Sequence, residues 1–279
     1  MSGIYSLVSA GKAFERKMEI TTNNLTNVDT AGYKEDHLTF REVLSTANRV
    51  VPESEEELFQ PHEYLDLYVG MDKSTVVIDG VGKNFSQGPM RFTDNPLDIA
   101  IDKEGFFIID TPQGNRYTRT GEFTLDAKGQ IVTSDGYSLL GTKGPMSIMG
   151  QDDQGRDVMG KDIQIDEDGG VHILIPRVVN GESRLVREFV DKLQLVRFRD
   201  PASLQKLGKS FYAPISSDNL PIPSDEIKVR QGMMEDSNVN TIKEMTVMIG
   251  GNRAYETVRK AMSTIDRLDE SAISISRLG

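Results

Sequence analysis

Both ends of the chain repeat apolar or small residues at alternating steps of three and four positions. The N-terminal repeat consists of Ile4, Leu7, Gly11, Phe14, Met18, Thr21, Leu25 and Val28. The C-terminal repeat consists of Val247, Gly251, Ala254, Val258, Ala261, Ile265, Leu268, Ala272 and Ile275, with Met248, Tyr255 and Met262 in a second row beside it. A period of about 3.5 residues predicts a helix with a packing seam, as in a coiled coil.

Two interpretations of these terminal repeats stay open on periodicity alone. Ordinary amphipathic helices that pack on a core produce the same spacing. The position of both repeats at opposite ends of the chain, largely without proline, favours one helical domain built from both termini. The first helix is predicted over residues 2–28, because Asn27, Asp29 and Gly32 supply stop and turn chemistry. The last helix is predicted to follow Gln231 and Gly232, with Ser237, Asn238, Asn240 and Thr241 as candidate N-caps, and Thr241 with Glu244 fits a capping box.

The middle of the chain changes to a period of two. From Phe85 onward, short apolar runs alternate with turn sequences at intervals of roughly eight to twelve residues, which predicts an antiparallel sheet, sandwich or barrel. Residues 163–165 and 171–175 are predicted to form a hairpin, and residues 150–161 a loop. The predicted fold is therefore α+β and multidomain, with a discontinuous coiled-coil helical domain from both termini and a central all-β domain.

Four segments divide the chain in this prediction. Residues 1–32 form the N-terminal helix of the terminal domain, and residues 33–84 form an extended connector with a short strand near Val76. Residues 85–230 form the central β domain, and residues 231–279 form the C-terminal helix.

Composition limits the classes of function. The chain has 279 residues and a net charge of -11, and without a basic cluster this argues against a nucleic-acid partner. It contains no Cys, which excludes disulfides and thiolate chemistry. No apolar run is long enough to predict a membrane span. The first residues lack a basic segment followed by an apolar one, so we do not expect a cleaved signal peptide.

Motifs for catalysis or ligand binding fail on inspection. Gly208-Lys209-Ser210 lacks the upstream glycine of a phosphate loop, and Asp166 and Asp168 lack the first and last ligands of a calcium loop. Asp98 and Asp102 could form a carboxylate pair, but outward-facing solvated side chains fit the strand alternation without a further assumption. We therefore predict no catalytic, cofactor-binding or metal-binding residues, no cofactor and no enzymatic activity.

Several sequence blocks resemble the bacterial flagellar rod and hook proteins. They are residues 23–34, 87–90, 95–101, 105–107, 117–121, 231–240 and 253–256, and they follow the family order across both ends and the centre. Within that family, residues 96–101 and 144–146 are most similar to proximal-rod members, with distal-rod members as the near alternative. The family-motif residues are Asn23, Asn24, Leu25, Asn27, Gly32, Tyr33, Gln231, Gly232, Ser237, Asn238, Val239, Asn240, Arg253, Tyr255 and Glu256.

The resemblance implies an axial structural subunit of the flagellar basal-body rod, which crosses the periplasm and transmits torque from motor to hook. The implied partners are further copies of the chain and neighbouring proximal and distal rod proteins in a helical assembly, and the flagellar type III export apparatus, without signal cleavage. Nucleic acid and a direct membrane span are not expected. The residues expected to pack between subunits are Ile4, Leu7, Gly11, Phe14, Met18, Leu25, Val28, Val247, Gly251, Ala254, Tyr255, Val258, Ala261, Met262, Ile265, Leu268, Ala272 and Ile275.

Two other classes of function compete with this interpretation. A self-contained, soluble monomeric binding protein would pair its terminal helices within one chain and protect both ends in the monomer. An enzyme with a site in the β domain would need a pocket with convergent polar groups.

Overall fold

The computed structural model describes residues 2–43, 75–151, 157–160, 162–179, 182–208, 210–216 and 218–276. The chain divides into two compact units. The first, here called the helical unit, contains Met1–Thr26, Asp36–Lys83 and Asn240–Gly279. The second, here called the β unit, contains Asn27–Glu35 and Asn84–Val239.

The helical unit contains two helices and one antiparallel strand pair in its described residues. Helix α1 spans Ser2–Thr26 and helix α2 spans Thr241–Ser276. Strand β1 (Asp36–Val43) pairs with β2 (Thr75–Lys83), and a bulge interrupts their register after Thr39. Residues 36–43 and 75–83 of the predicted connector are therefore paired strands, while residues 44–74 lie outside the described part.

Helix α2 begins next to the predicted N-cap candidates and later than the start of the predicted C-terminal helical segment. Residues 231–240, assigned above to the C-terminal helical segment, include the strand Met233–Glu235. The first helical residue is Thr241, and the Oδ1 atom of Asn240 accepts a hydrogen bond from the backbone N–H of Lys243 at 3.0 Å. The N-cap is therefore Asn240, which is one of the four predicted candidates. The capping box predicted from Thr241 is wrong because Thr241 already lies inside the helix. Helix α1 ends at Thr26, so Val28 lies in the turn that follows it.

The β unit consists of short strands. They are β3 (Met90–Phe92), β4 (Ile99–Asp102), β5 (Phe106–Thr111), β6 (Gly114–Thr118), β7 (Phe123–Leu125), β8 (Ile131–Thr133), β9 (Ser138–Gly141), β10 (Gly144–Pro145), β11 (Met149–Gln151), β12 (Asp157–Met159), β13 (Ile163–Ile165), β14 (Gly170–Val179), β15 (Glu182–Lys192), β16 (Leu195–Arg197), β17 (Leu204–Leu207), β18 (Phe211–Pro214), β19 (Ile222–Pro223), β20 (Lys228–Gln231) and β21 (Met233–Glu235). A short 3₁₀ helix, Pro201–Ser203, precedes β17.

One sheet dominates the β unit. Its main path runs β17-β18-β6-β5-β9-β8-β7, with β10 on β9, β16 on β5 and β19 on β16. A second sheet has the order β13-β14-β15, and three further pairs are β11-β12, β20-β4 and β21-β3. All pairings between these named strands are antiparallel, so the α+β prediction with an antiparallel body is confirmed. The predicted hairpin forms from β13 and β14, whereas the predicted loop at 150–161 contains the paired strands β11 and β12.

Two apolar clusters fill the β unit. The larger one contains Phe107, Phe123 and aliphatic residues of several sheets, with Ile99, Ile109 and Ile131 fully buried. The smaller one is aromatic: Phe106, Tyr117, Phe198 and Tyr212 pack edge to face. Such edge-to-face pairs stabilise a core beyond the area that they bury. The clusters give the unit a core of its own.

Candidate assembly surfaces and family-motif sites

The two helices of the helical unit pack against each other. The two helices are antiparallel, because residues that come later in α1 contact residues that come earlier in α2. A Cβ atom on Gly11 would lie 3.7 Å from Val258 Cγ1, and one on Gly251 would lie 3.4 Å from Met18 Cγ. The hydroxyl of Tyr255 donates to Glu15 Oε1 at 2.8 Å. Gly11 and Gly251 are both buried, which is consistent with close approach of the helix backbones at small residues.

Four of the predicted packing residues therefore meet within one chain, Gly11 with Val258 and Met18 with Gly251. Half-buried positions are Leu7, Phe14, Met18, Leu25, Val28, Val247, Ala254, Tyr255, Val258, Ala261, Met262 and Ile265. Leu268 is 63% exposed. Ile4 lies in α1, and Ala272 and Ile275 lie in α2. Burial of this seam between subunits and winding of the helices as a coiled coil both stay predictions.

The first turns of α2 carry exposed apolar side chains on a second face. Ile242, Met245 and Ile249 are 78%, 48% and 55% exposed. At about 3.6 residues per turn, these three positions project from the side of α2 opposite to Gly251 and Val258. We call Ile242, Met245 and Ile249 the outer stripe. Sequence reasoning missed it because the longer seam repeat dominates the periodicity of the same helix.

A groove of about 620 Å³ follows one side of α1. It is lined by Glu15, Met18, Glu19, Thr22, Asn23 and Thr26. All six are helix positions three or four residues from another member of the set, so they form one continuous face. We call this set the α1 groove. It places the family-motif residue Asn23 on an open surface.

Asn24 joins α1 to strand β1. Its side chain is buried and pairs with the backbone of Asp36 in both directions: Nδ2 donates to the carbonyl at 2.8 Å, and Oδ1 accepts from the N–H at 2.9 Å. Nδ2 also lies 3.5 Å from Glu244 Oε2 of α2. This amide therefore replaces a backbone ladder partner at the start of β1, which explains an asparagine at this family-motif position.

A charged cluster is buried in the β unit. Lys34, Arg119 and Glu235 are 0%, 3% and 2% exposed. Glu235 Oε1 accepts from Lys34 Nζ at 2.6 Å and from the backbone N–H of Gly88 at 2.9 Å. Its Oε2 accepts from Arg119 Nη2 at 2.7 Å and Nε at 3.0 Å. We call Lys34, Arg119 and Glu235 the buried triad, whose charges sum to one excess positive charge.

Other donors of the buried triad reach backbone carbonyls. Arg119 Nη1 donates to Lys103 O at 2.7 Å and to Gly105 O at 2.9 Å, and Lys34 Nζ donates to Ser86 O at 2.7 Å. Burial lowers the pKa of Lys34 to about 8, although Glu235 raises it; Arg119 adds to the lowering. The cause is the cost of holding the charged amine away from water.

The other family-motif residues of the β unit connect distant segments. Asn238 Oδ1 accepts from the N–H of Glu35 at 2.8 Å, and its Nδ2 donates to Asn84 O at 2.8 Å. Gln231 Nε2 donates to Pro96 O at 2.9 Å and to Ile163 O at 2.7 Å. Ser237 and Val239 are buried, and Ser237 Oγ accepts from the N–H of Val239. These polar side chains act as fixed backbone partners.

Two family-motif glycines occupy left-handed backbone conformations. Gly32 has φ +67°, and a Cβ there would lie 2.6 Å from the carbonyl carbon of Arg119. Gly232 has φ +72°, and its N–H donates to Asp98 O at 2.8 Å. Tyr33 is fully buried beneath Lys206 Nζ, which lies 3.6 Å from the ring centre. Only glycine combines such a φ with such close packing at Gly32.

The remaining family-motif residues and the predicted carboxylate pair lie in different surroundings. Asn27 Oδ1 lies 3.2 Å from Thr30 Oγ1 in the turn after α1. Arg253 and Glu256 are exposed on α2. Asp98 is only 5% exposed and accepts from Asn95 Nδ2 at 2.9 Å, so the prediction that it faces solvent is wrong. Asp102 is half-buried, 3.6 Å from Arg230 Nη2.

The part of the chain that the structure describes holds no group of His, Asp or Glu residues arranged to bind a metal ion. Neither α1 nor α2, as described, is both long and apolar enough to cross a membrane.

The fold thus defines a structural type: a paired-helix unit made from both chain ends and an antiparallel β unit. Residues 4–34 match the family described as flagella basal body rod protein, residues 100–173 match the flagellar hook protein FlgE/F/G D1 domain, and residues 230–275 match the flagellar basal body rod FlgEFG protein C-terminal.

Full-length relatives agree with these matches. The flagellar basal-body rod protein FlgF of Caulobacter vibrioides is 32% identical over 100% of this chain and 98% of its own length. The rod protein FlgG of Bacillus subtilis is 28% identical over 99% of this chain and 100% of its own. FlgG of Borreliella burgdorferi is 30% identical over 99% of both. The chain belongs to the flagellar basal-body rod protein family, which is structural and not enzymatic.

Proposed function

We propose that this structural subunit of the basal-body rod polymerises axially through its terminal helices and so becomes part of the shaft that transmits torque from motor to hook. Family membership places it in the rod with other rod proteins. The outer stripe of α2 supports the finer proposal. Three large apolar side chains on one exposed helix face are typical of a docking surface.

The proposed receiving surface is the α1 groove of a neighbouring copy. The outer stripe and the α1 groove are different surfaces of the same helical unit, so contact between them is heterologous. Heterologous contacts that do not close produce a helical filament instead of a ring. Burial of each large apolar side chain would contribute about 1.5–3 kcal/mol, so three side chains provide a substantial part of one contact.

A charge on the outer stripe tests the proposal. Ile249→Asp should prevent polymerisation of the purified protein, measured by sedimentation and electron microscopy, and should abolish swimming in a strain that carries only this variant. The circular dichroism of the monomer should not change, because Ile249 projects away from α1. Thr257→Asp is the matched control, since Thr257 is exposed and lies roughly 80° around the same helix. Normal polymerisation of Ile249→Asp would contradict the proposal.

Cysteine pairs identify the receiving surface. The chain has no native Cys, so introduced thiols report only on their own contact. A mixture of Thr22→Cys and Met245→Cys proteins should form an intermolecular disulfide under polymerising conditions. A mixture of Thr22→Cys and Thr257→Cys should not. A disulfide in the second mixture alone would assign the groove to a different face of the neighbour.

Because α1 and α2 pair within one chain, the alternative of a self-contained monomer also has to be tested. In that alternative the pair is complete in one chain, and the protein sediments as a monomer at all concentrations. Our proposal instead expects assembly to rise with concentration and to depend on the outer stripe.

Export and position in the rod are further parts of the proposal. We infer that the flagellar type III apparatus exports the chain without cleavage, and mass spectrometry of the subunit from purified basal bodies tests this by its N-terminal peptide. The similarity of residues 96–101 and 144–146 to proximal-rod members favours a proximal position, which a gold label on isolated rods would locate.

A further inference from the structure

The buried triad brings together three charges from distant parts of the chain. Lys34 and Glu235 are separated by 201 residues, and Arg119 and Glu235 by 116 residues. Lys34 comes from the segment before β1, Arg119 from the loop after β6, and Glu235 from the end of β21. Lys34 and Arg119 are both paired with the carboxylate of Glu235, which comes last of the three in the chain.

The backbone around Glu235 connects the same segments. Its carbonyl accepts from the N–H of Gly32 at 2.7 Å, and the N–H of Asp236 donates to Pro89 O at 2.9 Å. Gly88 lies so close that a Cβ on it would meet Asp236 O at 2.1 Å. Residues 235–236 therefore fill the space between the segment at 32–34 and the segment at 86–89. Among the residues that the structure describes, Glu235 is the carboxylate that pairs with Lys34 and Arg119, so the two cations lack this partner until residues 235–236 arrive.

We propose that the buried triad is a folding checkpoint, which keeps the β unit open until Glu235 has reached Lys34 and Arg119. Closing the unit earlier would bury two cations without their anion, and isolated buried charges are strongly unfavourable. Glu235 follows Lys34 by 201 residues and Arg119 by 116 residues, so a chain delivered from its N-terminus presents both cations well before their anion. The β unit therefore stays open until that later segment has been delivered.

Folding kinetics test the checkpoint, because a purely structural pair and a checkpoint affect different rates. If Glu235 must be in place at the barrier, Glu235→Gln should slow refolding at least about tenfold. If the pairing forms only after the barrier, the same change should accelerate unfolding and leave the refolding rate unaltered. Pulse-labelling hydrogen exchange of peptides within residues 99–118 reports on the β unit without contribution from the helices.

Further variants keep the test decisive. Lys34→Met removes the excess cation and leaves Arg119 paired, so it should refold at least about tenfold faster than the natural chain. Glu235→Asp keeps the charge and should restore part of the refolding rate that Glu235→Gln loses. Asp225→Asn breaks an exposed ion pair with Lys192 and should change neither rate, since Asp225 is 91% exposed.

The expected and contradicting results are distinct. Slower refolding of Glu235→Gln together with faster refolding of Lys34→Met supports the checkpoint. Should Glu235→Gln not fold, Lys34→Met alone decides: a rate equal to that of the natural chain overturns the proposal. Double-jump experiments separate the slow phases of the 11 prolines. The result is independent of rod assembly, so a failed checkpoint leaves the proposed function intact.

Discussion

At the scale of single residues, the buried triad carries unequal charges, and this predicts unequal effects of mutation. Glu235→Gln leaves Lys34 and Arg119 buried without an anion, and we expect it to lower the free energy of unfolding by about 3–5 kcal/mol. Lys34→Met leaves one balanced pair, and Ser86 O keeps a donor because Asn238 Nδ2 lies 3.0 Å away. Its loss should be less than half as large. Urea unfolding of both variants measures the difference, and equal losses would contradict the assigned charge balance.

The pKa of Lys34 predicts how stability depends on pH. Its value of about 8 in the folded protein lies below the ordinary value of 10.5. Between these two pH values the unfolded chain binds more protons at this amine, so the contribution of Lys34 to stability rises with pH. Below pH 8 the amine is charged in both states and the contribution is constant.

The measurable quantity is the difference between the natural chain and Lys34→Met. Between pH 8 and 10.5, the free energy of unfolding of the natural chain minus that of Lys34→Met should increase by up to about 3 kcal/mol. The subtraction removes the tyrosines, whose titration both proteins share. A difference that is constant over this range would show that Lys34 titrates at its ordinary pKa when folded.

At the scale of elements, two adjacent glycines of α2 differ in their surroundings. A Cβ on Gly251 would contact Met18 of α1 at 3.4 Å, whereas Gly250 has no atom within 4 Å of such a Cβ. Gly251→Leu should therefore force the helices apart and destabilise the helical unit by about 1–3 kcal/mol. Gly250→Leu should be neutral or stabilise by up to about 1 kcal/mol through helix propensity. Thermal unfolding followed at 222 nm (roughly the α-helix minimum) compares them; equal midpoints would contradict the helix pairing described.

Elements with local periodic patterns could be predicted from the sequence, and elements defined by distant partners could not. The seam repeat of α1 and α2 is a property of neighbouring residues, and it located both helices. Strand Met233–Glu235 has three residues and pairs with Met90–Phe92, far away in sequence, so no local pattern identifies it. Asn240 and Thr241 are both good caps, and only the structure decides between them.

The same limit applies to the buried triad and to Asp98: features that depend on distant partners could not be predicted from the sequence. The family motifs included Lys34 and Glu235 as parts of longer blocks, but the pairing over 201 residues has no signal in a single sequence. Asp98 was assigned to solvent by strand alternation, yet it lies before β4 and its backbone accepts from Gly232. Alternation predicts the direction of side chains only inside a regular strand.

At the scale of the whole molecule, α2 has two faces, and the proposed function gives them separate tasks. Gly251 and Val258 face α1 within the chain, and the outer stripe faces away from it. Folding of the helical unit and assembly of the rod should therefore be separable by mutation. A single seam that served both tasks would not allow this separation.

The last prediction uses one substitution on each face. Ile265 is half-buried on the same side of α2 as Val258, so Ile265→Asp should place a charge in the intrachain seam and reduce the helicity and thermal midpoint of the monomer. Ile249→Asp should leave both unchanged and block polymerisation alone. Both proteins should keep native hydrogen-exchange protection in the β unit, which has its own core. If Ile265→Asp lost polymerisation while its monomer kept full helicity, the seam itself would contact the neighbour, and the assignment of the two faces would have to be reversed.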